Sequence, residues 1–484
     1  MKKESRTKVG SKISSKVKKI QMRPMAYIAM AFFIVIFLGS LLLYFPFTHN
    51  DGVSISYLDA LFTSMSATCV TGLITIPAGV AATFNIIGVI IIAILIQIGG
   101  FGAATMAVSI FVITSRKLSF EQQSLIKESW NIDTFKGLKK IFYLILAITF
   151  TIETIGAILL FFDFWLINPE ISNGNMAYAW GVSFFTSISA FNNAGFDLFG
   201  TTSLIAYQND VYLNLVIALL ITLGGLGYLV IFDIIKKKFN FKKFNFQTKV
   251  VVFMTTLLFV VGTLIIFMTE NLVTPNQFPQ GSETMTFLGA LFMNISCRTA
   301  GFTTYNLAFA RNSTLIIMMI LMFVGASPGG TGGGVKTTTI YVIVINFISL
   351  FTKKAPHGFN RAVSKKVISK ALTIFFIYVI LITASIFMVC AFEENIFYVK
   401  DGIRYKTYVE GSQMFGSLDC MFDIFSAINT VGLTTGITPY LSVGSKIVLI
   451  ILMFVGRIGP LSISQFLNAK EPSWTYAEGD IAIG

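Results

Sequence analysis

The sequence specifies an all-α membrane protein: four pseudo-repeats of helix, re-entrant pore loop, helix around one central pore. Three features carry this reading. Hydrophobic residues make up 55% of the chain and charged ones only 12%, a balance that no water-soluble surface provides. One short phrase recurs four times, as TCVTGL at 68–73, FNNAGF at 191–196, CRTAGF at 297–302 and INTVGL at 428–433. Each copy follows a long apolar segment and a short one, and each precedes a second long apolar segment.

The first long segment, 25–45, matches the thickness of a bilayer and lacks a small-residue cleavage site, so it reads as a transmembrane helix and not a signal peptide. A short segment at 57–67 follows, then a long helix at 84–114. The short segment cannot span a membrane but suits a re-entrant helix. Its irregular exit is tolerated at membrane depth only where it lines water or is buried in protein. Repeat 2 reads as spans at 141–162 and 211–235 around a short segment at 178–190. In repeat 3 the spans are 250–269 and 314–350, and the short segment is 284–296. The second of these spans is broken by GASPGGTGGGVKTTT at 325–339, which no helix survives. Repeat 4 has spans at 371–392 and 446–467 around 418–428, with a polar external connection at 393–416. The resulting division is a basic tail at 1–24, repeats at 25–114, 141–236, 250–350 and 371–467, cytoplasmic linkers at 115–140, 237–249 and 351–370, and a tail at 468–484.

The register extends beyond the phrase. Leu58, Asp59, Phe62, Ser66, Ala67, Gly72 and Leu73 recur as Leu418, Asp419, Phe422, Ser426, Ala427, Gly432 and Leu433, while Phe185, Ser189, Ala190 and Gly195 follow in repeat 2. Glycines in the second long helices, Gly99, Gly100 and Gly102 in repeat 1 and Gly224, Gly225 and Gly227 in repeat 2, allow close contact or a bend.

The net charge of +13 is unevenly placed. Lysine and arginine gather at 2–23, 116–140, 236–249 and 353–370, whereas 163–170 and 270–283 have none. That alternation is the positive-inside pattern and sets both termini in the cytoplasm of a multi-pass protein of the cell membrane. The basic tail reads equally as a simple topology determinant and as a segment that is disordered or lies against anionic headgroups of membrane lipid. No basic stripe interleaves with aromatics in a soluble module, so no nucleic acid partner is expected. Cys69, Cys297, Cys390 and Cys420 lack CxxC spacing and read as packing residues. His49 and His357 fall in connections and are expected to be solvated. With no Ser/His/Asp or histidine cluster to assemble, the chain is not read as an enzyme and needs no organic cofactor.

A dehydrated cation needs oxygen ligands in place of its water. Backbone carbonyls provide them where successive peptides turn inward, and glycine takes the positive φ this requires. The candidate filter is Val70, Thr71 and Gly72; Asn193, Ala194 and Gly195; Thr299, Ala300 and Gly301; and Thr430, Val431 and Gly432. Gly72, Gly195, Gly301 and Gly432 would form one ring at one depth around K⁺. Each short helix would aim its carbonyl end at the ion, with Asp59 and Asp419 complementing the opposite ends.

These motifs as a set, TCVTGL, NNAGF, CRTAGFTT and NTVGLTTG, resemble the Trk/Ktr/HKT superfamily of potassium transporters over residues 25–484. With no extra helices before the first unit and a tail ending AEGDIAIG, the chain is most similar to the KtrB-type membrane subunits. The resemblance implies a K⁺ uptake subunit, often stimulated by Na⁺, that forms a homodimer and works with a cytosolic nucleotide-binding regulatory subunit of KtrA/TrkA type. It also implies K⁺ over Na⁺ selectivity, because glycine at all four filter positions accompanies that preference and serine at the first accompanies Na⁺. The glycine-rich stretch resembles the family's intramembrane gate. That assigns Gly329, Gly330, Gly332, Gly333, Gly334 and Lys336 to the gate, with Arg457 in FVGRIGP opposite it.

Other readings are weaker. A phosphate-binding loop at 325–339 fails because Val335 separates Gly334 from Lys336 and the flanks are spans. An alternating-access transporter for another cation or a small solute would favour inverted repeats, and these repeats share one orientation. Arg457 also suits a structural role on loop carbonyls. Glu153, in mid-span, reads equally as an ion-handling, structural or protonated carboxyl. The residues are compatible with channel-like flow and with symport coupled to Na⁺ or H⁺.

Overall fold

The repeat is visible in how each short helix begins. A computed structural model describes residues 24–102, 138–172, 174–271, 285–393, 397–400, 403–406 and 416–459. Repeat 1 contributes α1 (Pro24–Tyr44), the short α2 (Tyr57–Cys69) and α3 (Ile86–Gly100). In repeat 2, α4 (Leu138–Phe162) precedes the short α5 (Met176–Asn192), α6 (Val211–Leu226) and α7 (Tyr228–Lys236). Repeat 3 consists of α8 (Phe246–Asn271), the short α9 (Phe287–Cys297), α10 (Asn312–Phe323) and α11 (Thr337–Thr352). A two-residue hairpin, β1 (His357–Gly358) with β2 (Arg361–Ala362), leads into α12 (Lys365–Glu393). Repeat 4 continues through an antiparallel pair, β3 (Phe397–Lys400) and β4 (Ile403–Lys406), to the short α13 (Ser417–Ile428) and α14 (Val443–Ile458).

The short helices start on polar caps, which satisfy amides that have no partner inside the helix. Ser56 Oγ accepts from Asp59 N at 3.2 Å, Asn175 Oδ1 from Ala177 N at 2.9 Å, and Thr286 Oγ1 from Gly289 N at 3.0 Å. At the fourth, Asp419 Oδ2 accepts from Gly416 N at 2.6 Å. Two of the long helices that follow are held by a carboxylate from the preceding span. Glu270 Oε1 accepts from Arg311 N at 3.1 Å, and Glu393 Oε1 from Ser442 N at 2.8 Å.

Packing of first span on short helix also repeats. A Cβ at Gly39 would lie 2.5 Å from Ser64 Oγ and one at Gly156 2.5 Å from Ser187 Oγ, while Gly262 abuts Asn294. Lipid offers apolar groups no reason to leave it, so helices in a bilayer associate through such close contacts and through interhelical hydrogen bonds. Ser64 Oγ donates to Ile36 O at 2.7 Å, and Ser187 Oγ to Glu153 O at 2.7 Å. Phe62, Phe185, Phe292 and Phe422, one in each short helix, are all buried in the core. Phe33, Ile94, Phe150, Leu219, Val260, Ile320, Ile380 and Ile451 face outward and exposed, as residues that meet acyl chains must.

Among the described residues, 140–167, Phe246–Asn271 and Lys365–Glu393 are each long and apolar enough to cross a membrane, as is the pair α6 and α7 taken together. The expected continuous span at 211–235 is not one rod. It bends by 98° between α6 and α7, because Gly227 adopts φ 95° and ψ 137°, a conformation that excludes a side chain. The span expected at 314–350 is likewise two helices separated by the glycine-rich loop. Of the helix expected at 84–114, the part beyond Gly102 lies outside the described residues, as do most of the 115–140 linker, both tails and the end of the 446–467 span. The 393–416 connection contains the strands β3 and β4, which alternation did not reveal. His49 is a correction: it is buried, with Nε2 2.8 Å from Leu43 O and its ring 5.7 Å from that of Phe84, because the chain folds back over α1 there. His357 is exposed as expected.

Candidate functional site

The four glycines meet. A Cβ built on Gly72 would lie 2.6 Å from Ala194 O, one on Gly195 2.7 Å from Ala300 O, and one on Gly301 2.5 Å from Val431 O. Gly432 closes the circuit against Thr71 O. Each glycine thus faces the peptide oxygen just before the next repeat's glycine, and the ring has no room for a side chain at any of its corners. Contacts of this length are not available to real Cβ atoms, so the positions require glycine.

The backbone in each phrase alternates in hand. The glycines have φ of 96°, 69°, 83° and 96° at 72, 195, 301 and 432. Two residues earlier, Val70, Asn193, Thr299 and Thr430 also take positive φ, at 57°, 59°, 88° and 50°. For residues other than glycine this costs on the order of 1–2 kcal/mol each. Strain repeated at four equivalent positions is held by the surroundings, and its effect is to terminate each short helix abruptly and turn successive peptides.

Hydrogen bonds from the short helices hold the turns. Thr71 N, Ala194 N and Val431 N donate to Ser66 O, Ser189 O and Ser426 O, all at 2.8 Å. Gly72 N and Gly432 N donate to the hydroxyls of Ser66 and Ser426, both at 3.0 Å. In repeat 3 the register is one residue shorter: Ala300 N bonds to Ser296 O at 2.9 Å, and the Ser296 hydroxyl donates to Phe302 O instead. That slip is already present in the sequence, where Phe292 and Ser296 stand one residue nearer their glycine than Phe62 and Ser66 do.

Directly against this ring sits the glycine-rich loop between α10 and α11. Gly332 abuts the Thr299 side chain and Gly333 that of Thr430, whose hydroxyl accepts from Gly333 N at 3.1 Å. Gly334 faces Asn429. The glycines 329 and 330 do not approach the ring. They pack at the bend between α6 and α7, where Tyr228 N donates to Gly329 O at 3.1 Å and Ser327 N to Gly225 O at 3.0 Å.

Three cations donate to the loop's carbonyls. Arg457 reaches Thr331 O through Nη1 and Gly99 O through Nη2, tying repeats 4, 3 and 1 together. Lys336 Nζ folds back on Gly332 O at 2.8 Å. The third is Arg298, in CRTAGF, a residue to which the sequence pattern assigns no role beside Thr299, Ala300 and Gly301. It is buried, donates from Nη2 to Gly325 O at 3.5 Å, and lies 5.3 Å from the centre of the Phe259 ring. An arginine amid apolar residues was the available signal.

Glu153 has a partner in space. Its Oε1 accepts from Asn192 Nδ2 at 2.8 Å, beside Gln97, so a buried polar group backs the second glycine phrase one residue before Asn193. At the far end of α2, burial alone would raise the Asp59 carboxyl. Hydrogen bonds from Ser56 at 2.7 Å and Thr75 at 2.7 Å, with Lys446 Nζ at 3.3 Å, outweigh it and hold Asp59 below the usual carboxylate range. Asp59 and Lys446 also join repeat 1 to repeat 4. Cys69, Cys297 and Cys420 are buried and unbridged, with packing roles.

Comparison with known proteins gives a family and a fold. A family model described as "TrkH: Cation transport protein" matches residues 10–477. The chain is 35% identical over 471 residues to the potassium/sodium uptake protein NtpJ of Enterococcus hirae, covering 96% of this chain and 98% of that one. It is 32% identical over 470 residues to the Ktr system potassium uptake protein B of Bacillus subtilis, covering 97% and 98%. Among solved structures, the potassium transporter TrkH of Vibrio parahaemolyticus shares the fold with a TM-score of 0.63 at 19% identity, covering 93% of this chain and 86% of that one.

Proposed function

The chain belongs to the TrkH family of cation transport proteins, and from that premise we propose that it is the ion-conducting subunit of a Ktr-type potassium uptake system. The observation that carries this is the closed circuit of glycines and peptide oxygens, Gly72 to Ala194, Gly195 to Ala300, Gly301 to Val431 and Gly432 to Thr71. Carbonyls of Thr71, Ala194, Ala300 and Val431 replace the hydration shell of K⁺, which avoids burying a carboxylate in the filter. The short helices end at the ring, and their carbonyl ends add negative potential. Relatives named for potassium uptake, and one named for potassium and sodium, support K⁺ as the cargo and Na⁺ as a second ion.

The loop at 324–336 is the gate on this reading. It lies against Thr299 and Thr430 at the base of the filter and is held by Arg457, Arg298 and Lys336. A cation entering there meets fixed positive charge, so conduction requires the loop and its cations to move aside. The lysine-rich connections face the cytoplasm, where a separate nucleotide-binding regulatory subunit bears on the loop, and two copies of the chain pair in the membrane.

Expression in cells lacking potassium uptake tests the function. Growth at low K⁺ is expected to be restored, more strongly with the regulatory subunit and with Na⁺ present. Failure to restore growth by chain shown to be in the membrane together with that subunit would sink the proposal.

A further inference from the structure

A cavity of about 950 Å³ opens at the end of α7, on the side of the protein that carries the lysine-rich connections. Its walls come from α7, the turn at 237–245, the start of α8 and the β1–β2 hairpin. Five lysines and one arginine line it, including Lys236, Lys242, Lys243, Lys249 and Arg361, against a single carboxylate, Asp233. That carboxylate is already occupied: Asp233 accepts from Lys237 Nζ at 2.6 Å and from Asn245 N at 2.9 Å. Lys242, Lys243 and Arg361 have no acidic partner among the described residues and are exposed.

The same walls include apolar groups. Leu229 and Phe232, within the span, line the cavity, and the Lys236 ammonium lies 5.7 Å from the Phe232 ring centre. Phe359 of the hairpin is ringed by Phe241, Phe246, Phe253 and Tyr341, with centroids 6.0–6.5 Å away. Cations just beyond the end of a span, above apolar residues of the span itself, match a ligand with an anionic head and a hydrocarbon body. A free phosphate has no use for Leu229 and Phe232.

Two paths of contact join the cavity to the glycine-rich loop. Upstream, α7 starts at the Gly227 bend, where Tyr228 N donates to Gly329 O and Gly227 packs on Pro328 O, and ends nine residues later at Lys236. Downstream, the loop runs into α11, whose Tyr341 packs with Val250 and Met254 of α8 and stacks on Phe359. We propose that this cavity binds the headgroup of an anionic phospholipid, and that its occupancy, by drawing α7 and the hairpin together, biases the loop. The proposal rests on the membrane topology argued above for its leaflet and on the transport reading for its second half only.

Native mass spectrometry of the full chain in detergent, titrated with phosphatidylglycerol, tests the first half without any flux. Phosphatidylglycerol is expected to be retained and phosphatidylcholine not. Lys242→Gln/Lys243→Gln/Arg361→Gln should weaken retention at least tenfold, since each basic residue near an anionic surface is worth about fivefold. The same charge change at the exposed Lys353, Lys354 and Lys366 should weaken it less than about twofold. Equal retention of the two lipids by the wild type overturns the proposal whether or not the variant folds, and so does equal loss in both variants. Competition by inorganic phosphate as effective as lipid would make this a free-anion site and also overturn it. So would unchanged lipid retention in a triple variant that no longer captures the regulatory subunit. In vesicles, Rb⁺ flux through the wild type should change at least threefold when phosphatidylglycerol replaces phosphatidylcholine, and flux through the triple variant should not. Equal responses would overturn the coupling to the loop.

Discussion

Arg457 Nη1 donates to the backbone oxygen of Thr331, so one guanidinium on α14 holds the glycine-rich loop between α10 and α11. Charge-assisted hydrogen bonds of this kind are worth about 1.5–3 kcal/mol. Arg457→Gln is therefore expected to raise basal Rb⁺ flux into vesicles about tenfold, and deletion of Gly332 and Gly333 should act in the same direction. Unchanged or reduced flux in variants that elute and melt like the wild type would count against a gate at this position.

The ring leaves no space beside its glycines. Gly195→Ala places a methyl 2.7 Å from Ala300 O and forces alanine into φ 69°, a conformation costing about 1–2 kcal/mol before any clash. K⁺ flux is expected to fall at least tenfold. Gly72→Ser should lower the K⁺/Na⁺ flux ratio, and equal ratios in wild type and variant would refute the selectivity argument.

Ser66 and Ser426 hold the amides of Gly72 and Gly432 in the adjacent repeats 1 and 4. Replacing both with alanine removes two hydrogen bonds of about 1 kcal/mol each. The expected outcome is a lower K⁺/Na⁺ permeability ratio at near-normal expression, read from reversal potentials in bilayers. An unaltered ratio would mean the hydroxyls serve only the short helices.

Glu153 and Asn192 predict a difference between two substitutions. Glu153→Leu removes the 2.8 Å acceptor of the Asn192 amide, which keeps Ile188 O at 2.9 Å and Gln97 Oε1 at 3.3 Å, and so costs about 0.5–1.5 kcal/mol. Glu153→Gln retains an acceptor. Thermal unfolding in detergent should show a clear drop for leucine and a small one for glutamine, whereas equal drops would make the contact incidental.

Asp59 gives a pH-dependent test. Its folded-state pKa lies below the ordinary value, so its contribution is present in full above about pH 3.9 and is lost as pH falls through the folded value. With partly exposed partners, the pair with Lys446 contributes no more than about 1 kcal/mol. Wild type should melt above Asp59→Asn at pH 7, and the gap should close on acidification below pH 4. A gap that persisted unchanged in acid would assign the difference to packing.

Composition and periodicity sufficed to reveal where the apolar helices lie, the four short helices, the glycine of each recurring phrase and the loop that interrupts the helix at 314–350. All of these depend on local chemistry: a bilayer demands apolar length, left-handed backbone demands glycine, and clustered glycine and proline end a helix. Left to the three-dimensional arrangement were the left-handed turns at Val70, Thr299 and Thr430, which no propensity favours and only the neighbouring repeats can impose. The 98° bend at Gly227 depends on the loop packing against it, and the burial of His49 on the chain folding over α1. Arg298 and Arg457 acquire carbonyl partners, and Glu153 its amide, from elements far away in the chain. Local preference acts over a few residues, whereas closing the ring brings together oxygens and glycines from four separate parts of the chain. Those contacts come into existence only when the repeats have packed.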